Sequence, residues 1–103
     1  MVGLRRIADD AAAWPSVQRV IVGNVYPSQK YKPFHAVVLH KLQAEIATWP
    51  YATIDWLPRL ETADGHGHWR PGLVDGHNFH PTAEGFQLMF ETVNLSLFDG
   101  LKP

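Results

Sequence analysis

Apolar positions along the chain fall into blocks whose spacing alternates between the helical and the extended period. Leu4, Ile7, Ala8 and Ala11 recur at helical spacing, and Ala12 and Ala13 favour the same state, so 4–14 reads as a short helix that Pro15 ends. Segment 17–23 then carries the β-branched run Val20-Ile21-Val22, which suits a strand covered on both faces, as in a parallel sheet. A run this short also fits a buried helical turn; the flanking Pro15 and Gly23 favour the strand. Prolines 27 and 33 mark a loop over 24–33. A second helix is expected over 34–49, with Val38, Leu42, Ile46 and Trp49 as its apolar stripe and Pro50 as its stop. Segment 51–56 reads as a second strand with Ala52 and Ile54 inward, and 57–60 as a single helical turn. From 61 to 79 there is no periodicity and there are four glycines; loops longer than about 12–15 residues usually carry function or are disordered. Pro81 at a first helical position and Glu84 in the first turn open a last helix. Its stripe is Phe86, Met89, Phe90, Val93 and Leu97, and it fades near Asp99-Gly100.

Helix, strand, helix, strand, long loop and helix make an α/β order. Two parallel strands alone leave both sheet edges open, and their crossover helix is expected to lie, right-handed, on a larger sheet. Residues 1–103 therefore read as one partial domain whose remaining strands come from a complementary chain, a second copy or a separate segment. Composition changes this picture little. Apolar residues make up 46% and charged residues 18%, a folded rather than disordered balance with few enough charges to suit a covered face. A net charge of -1, with nine basic residues scattered singly or in pairs, gives no electrostatic footprint for nucleic acid. The absence of cysteine removes disulfide and thiolate chemistry. No apolar run approaches membrane-spanning length, no signal-peptide pattern is visible, and no compartment is indicated.

Chemistry concentrates in 64–86, which holds four of the six histidines. Three readings compete. In the first, His80, just ahead of the last helix, is a general base for acyl transfer, and Asp75 fixes its tautomer. That chemistry needs a positioned nucleophile, and none of Ser16, Ser28 and Ser96 stands in a strand-to-helix turn that would expose one. In the second, His66, His68 and His77, with Asp75 and His80 nearby, supply the nitrogen and oxygen donors that zinc accepts, although no zincin-type helix motif is present. In the third, the histidines hydrogen-bond backbone groups and Trp69 covers a core. Asp55, at a strand end, stands where open α/β sheets bind ligands and equally suits capping the following turn.

The block His80-Pro81-Thr82-Ala83-Glu84-Gly85-Phe86, with an aspartate upstream and an apolar helix downstream, resembles the carboxyl-terminal block of SGNH/GDSL-type serine esterases and lipases, Asp-x-x-His-Pro-x-x-x-Gly. Val20 to Pro27 is similar to a late sheet strand of that family and its Tyr-Pro loop, 51–56 to its last strand, and Trp69-Arg70-Pro71-Gly72 to the loop approaching the histidine. The likeness spans nearly the whole chain but only the back half of the family fold. It implies the carboxyl-terminal half of a flavodoxin-like three-layer α/β/α hydrolase with parallel strands, which cleaves acyl esters of lipids or acetylated glycans without a cofactor. It also implies that His80 is the catalytic histidine; Tyr26 and Trp69 are the candidate substrate-contacting rings. Two departures matter. The family aspartate lies three residues before the histidine, where this chain has His77, whereas Asp75 lies five before. Either a two-residue bulge at Gly76 returns Asp75 to its place, or His77 stands in for it. The family's serine, oxyanion glycine and asparagine have no counterparts here, and Asn24 lacks the Gly-x-Asn context, so the nucleophile has to come from elsewhere. A non-catalytic glycan- or partner-binding domain of the same fold, and a histidine-cluster metal module, are the alternatives.

Overall fold

In the computed structural model, which describes residues 2–76 and 80–102, the chain forms α1 (Val2–Ala12), β1 (Ile21–Gly23), α2 (Pro33–Ile46), β2 (Ala52–Ile54), α3 (Leu57–Leu60) and α4 (Ala83–Thr92). A 3-10 turn over Leu95–Phe98 follows. The strands pair in parallel with Ile21 opposite Ala52, Val22 opposite Thr53 and Gly23 opposite Ile54. Asn24 prolongs the ladder by donating its N–H to Ile54 O at 2.8 Å. The expected strands over 17–23 and 51–56 thus shrink to three residues each. Each has one neighbour, and among the described residues no third strand joins the sheet. The result is a small mixed α/β domain on a two-stranded parallel sheet.

Two apolar clusters hold it together. Ala8 of α1, Val22 of β1, Ile46 of α2 and Trp49 are buried together, with Leu4, Val20, Leu42 and Tyr51 packed around them. Arg5 fastens α1 by lying 5.5 Å from the centre of the Trp49 ring, and pairs with Asp9 at 3.1 Å within the helix. The Tyr51 hydroxyl also donates to Asp9. The second cluster, Leu60, Trp69 and Leu73, gathers Trp56, Val74, Leu88 and Met89, and so ties α3 and the following loops to α4.

The helices follow the expected stripes in part: Leu4, Ala8, Leu42, Ile46, Trp49 and Met89 face the core, and others do not. α2 buries Ala36, Leu39 and Ile46, while Val38 is 58% exposed and Phe34 and Val37 also face outward. α2 carries apolar residues on more than one face, so spacing alone does not select the inward one. Pro33 takes the first helical position, and the His35 ring accepts the Lys32 N–H at 3.0 Å, which closes the start of the helix. Trp49 lies beyond the helix end, in a turn where its N–H reaches Ile46 O at 3.0 Å. α4 leaves Phe90 66% exposed, with Phe86 similarly open, and packs through Met89 of the expected stripe and through Leu88 outside it. It ends at Val93, after which Asn94 caps the 3-10 turn by accepting the Ser96 N–H at 3.0 Å. Ala52 and Ile54 are only half-buried.

Two antiparallel bridges order the described residues of the aperiodic stretch after α3. An antiparallel bridge between Glu61 and Trp69, flanked by Thr62 N–H to His68 O at 2.9 Å and Arg70 N–H to Leu60 O at 2.7 Å, closes 62–68. A second bridge between Val74 and Pro81, flanked by Asp75 N–H to His80 O at 2.9 Å and Thr82 N–H to Leu73 O at 3.0 Å, pairs 73–75 with 80–82. α4 then docks through Gly85, where an added Cβ would come within 2.1 Å of Leu73 O. Among the described residues no helix is long and apolar enough to cross a membrane.

Candidate functional site

His80 is exposed and stands one residue before the Val74–Pro81 bridge, and Asp75, half-buried, stands one residue after it on the facing strand of the loop. Their direct backbone hydrogen bond of 2.9 Å makes two residues five apart in sequence neighbours at one end of the same short ladder. His77, the alternative partner, lies outside the described residues. Thr82 anchors the other side of His80: its hydroxyl donates to Gly72 O at 2.7 Å and accepts the Gly85 N–H at 3.2 Å, capping α4 and fixing where the helix begins. The backbone carrying the imidazole is therefore held from both sides.

The serines are elsewhere. Ser16 lies in the turn after α1 and Ser96 in the 3-10 turn. Ser28 Oγ accepts the Lys30 N–H at 3.2 Å. Among the described residues no serine hydroxyl hydrogen-bonds a histidine. Of the metal candidates, His66 Nδ1 is 3.4 Å from Asp64 Oδ2, and His68 Nε2 is 2.9 Å from Tyr31 O. Among the described residues no group of three or more histidine or carboxylate side chains is placed to hold a metal. Tyr26 and Trp69 do meet, with ring centres 6.0 Å apart. Trp69 is only 3% exposed and belongs to the core, whereas Tyr26, 50% exposed, presents the open ring of the pair.

A second polar assembly stands at the carboxyl ends of both strands; of its members only Asp55 stood out in the sequence. Buried Asn24, the residue after β1, donates from Nδ2 to Asp55 Oδ1 at 3.2 Å, and its Oδ1 accepts the Val25 N–H at 2.7 Å. Asp55, the residue after β2, also accepts the Leu57 N–H at 3.3 Å, which realises the turn-capping role, and Gln43 Nε2 at 2.8 Å. Gln43 leads to His40 at 3.2 Å, His40 to Glu61 at 2.8 Å, and Glu61 Oε2 to the Gly67 N–H at 2.7 Å. Gly67 has φ +80°, a conformation that favours glycine, and its missing side chain leaves room for Tyr31. The sequence signal was the pair of polar residues following each strand, together with the i, i+3 spacing of His40 and Gln43.

His40 holds its proton above the ordinary histidine range. Partial burial opposes the charge, but hydrogen bonds to Glu61 and Gln43, the Glu61 carboxylate and the Gly65 carbonyl outweigh it. A shallow depression of about 600 Å³ is bordered by Pro33, Val37, His40, Lys41, Gly65 and His66. An apolar groove of about 260 Å³ runs along the other flank of α2, past Val25, Tyr31, Phe34, Val38 and Leu42. His80 borders neither. No family model, curated protein or solved structure matches the chain.

Proposed function

We propose that the chain is the histidine-bearing half of an SGNH/GDSL-type ester hydrolase, the carboxyl-terminal part of a flavodoxin-like α/β/α sheet. The observation that supports this most is the backbone pairing of Asp75 with His80 at 2.9 Å beside the capped start of α4, which puts a carboxylate residue next to an exposed imidazole. His80 takes the proton of a serine hydroxyl carried by a complementary chain or a second copy, and the serine oxygen attacks the acyl carbon. The tetrahedral oxyanion is met by donors on that same supplied segment. His80 then returns the proton to the departing alcohol, and the acyl group leaves by the same base-assisted route with water as nucleophile. Asp75 sets the tautomer and stabilises the imidazolium. The substrate is an acyl ester of a lipid or an acetylated glycan, with the open face of Tyr26 as a contact, and no cofactor takes part.

The isolated chain is expected to show no His80-dependent turnover of a p-nitrophenyl acyl ester. Adding a serine-bearing segment encoded beside it is expected to give turnover that His80→Ala lowers by about 10³-fold or more. Restored turnover that survives His80→Ala rules out His80 as the base, and His80-dependent turnover by the chain alone rules out a half-site. A second reading, a non-catalytic partner-binding domain, is favoured by the exposed Phe34, Val37, Val38, Phe86 and Phe90. It predicts association without turnover in the same mixture.

A further inference from the structure

His40 joins three parts of the fold, and both of its ring nitrogens face acceptors. Nε2 lies 2.8 Å from Glu61 Oε2, which also takes the Gly67 N–H at 2.7 Å. Nδ1 lies 3.2 Å from Gln43 Oε1. The Gln43 amide is not free to turn over. Its Nε2 donates to Asp55 Oδ2 at 2.8 Å, and reversal would set two acceptor oxygens face to face. Asp55 is committed as an acceptor by Asn24 Nδ2 and the Leu57 N–H as well. A neutral imidazole carries one donor, so it satisfies Glu61 or Gln43 but not both.

We infer that His40 is a built proton-binding site, an imidazolium donating through both ring nitrogens, whose proton clips the 62–68 loop to α2. Without that proton one of the two acceptors loses its donor; the Glu61 carboxylate, only 8% exposed, still takes the Gly67 N–H, while Arg70 beside it donates to the Glu61 backbone carbonyl at 2.9 Å. The charged surroundings are mixed. Glu61, from the segment after α3, and Asp55, through Gln43 from the end of β2, favour the proton. Lys41 of α2 and a protonated His66 border the same depression and oppose it, while Asp64 lies 3.4 Å from His66 and tempers that opposition. The raised proton affinity of His40 agrees with the carboxylates prevailing.

The sign follows from linkage. The folded pKa lies above the unfolded value of about 6.5, so the clip is complete below that pH and is lost as pH rises through the folded value. Release of the loop reshapes the depression of about 600 Å³, because Gly65 and His66 of the loop line it together with α2 residues. It also slackens the ties from His68 to Tyr31 O and from the Trp69 N–H to Gln29 Oε1. The fold thus contains a loop latch set by a single proton, held more tightly than on a free histidine.

Nuclear magnetic resonance of the imidazole rings in the full chain tests this, with the His40 signals assigned by their loss in His40→Gln. At pH 6.5 both His40 nitrogens are expected to be protonated. The titration is expected to lie above the free-histidine range and to move down in Gln43→Leu and Glu61→Gln. The Gly67 amide should lose protection severalfold, relative to its chemical exchange rate, over the same pH interval, with no such step in His40→Gln. A neutral single tautomer of His40 at pH 6.5 overturns the inference, as does loop release that follows His66 and disappears in His66→Gln. Should Glu61→Gln fail to fold, the wild-type ring spectrum and the Gly67 exchange profile decide alone.

Discussion

At the residue scale, side-chain hydrogen bonds running from Asn24 and Asp55 at the strand ends through Gln43 and His40 to Glu61 tie the short sheet to α2 and the 62–68 loop. Glu61 is the most exposed to test. It is buried, accepts the Gly67 N–H and faces His40, so Glu61→Ala leaves a backbone donor and a ring nitrogen without their acceptor. Losing a charge-assisted hydrogen bond of this kind costs about 1.5–3 kcal/mol, and a fall of that size is expected in the urea unfolding free energy. Asp9 gives a pH test of opposite sign. The Tyr51 hydroxyl first, and then Arg5, hold its carboxyl below the usual range despite some desolvation. Its contribution is therefore present above about pH 4 and fades as pH falls through the lowered value. The acid side of a melting-temperature profile is expected to be flatter in Asp9→Asn than in wild type. His80 and Asp75 could be picked out as candidates from the sequence because that pattern is local. His40 and Glu61 lie 21 residues apart, and each by itself reads as ordinary surface polarity.

At the element scale, all the helices and both strands were legible by position, and their extents and facing were not. The β-branched run Val20-Ile21-Val22 reads the same with or without a ladder partner, so the strand looked longer than the three residues that β2 can pair. α2 looked ordered by Val38 and Leu42, but Ala36 and Leu39 turn inward, because the apolar residues of this helix cover more than one face. In the sequence Gly85 stands out only through the His80-Pro81-x-x-x-Gly85 spacing; the structure shows its part in docking α4. Gly85 admits the Leu73 carbonyl, which would stand 2.1 Å from an added Cβ. An open helical glycine gains about 1 kcal/mol on replacement by alanine. Gly85→Ala is instead expected to cost about 1–3 kcal/mol, the range of overpacking, so the sign of the change in thermal unfolding separates the two cases. Thr82→Ala removes both the cap and the tie to Gly72 O and is expected to cost about 1–2 kcal/mol, read in the same way.

At the scale of the whole molecule, the surface is larger than a closed domain needs. The radius of gyration is 15.1 Å, against about 13 Å for a compact chain of this length. The accessible area is 6992 Å², whereas a folded monomer of this mass exposes about 5,800 Å². The excess, on the order of 1,000 Å², is close to the roughly 800 Å² that one partner contributes to a specific interface. Much of it is apolar. Phe34 and Val38 line the groove of about 260 Å³ that runs to Val25, just past the end of β1, and β1 pairs on one side only. An open strand edge beside an apolar groove favours association. Sedimentation velocity is expected to show a mass that rises with concentration. Paired Phe34→Glu and Val38→Glu substitutions are expected to return it to that of one chain and to lower binding of an apolar dye. Because both side chains face outward, the melting temperature should hold, so loss of association with an intact melt assigns the groove to a partner, whereas a single-chain mass at every concentration of the wild type removes self-association and leaves a different chain as the cover.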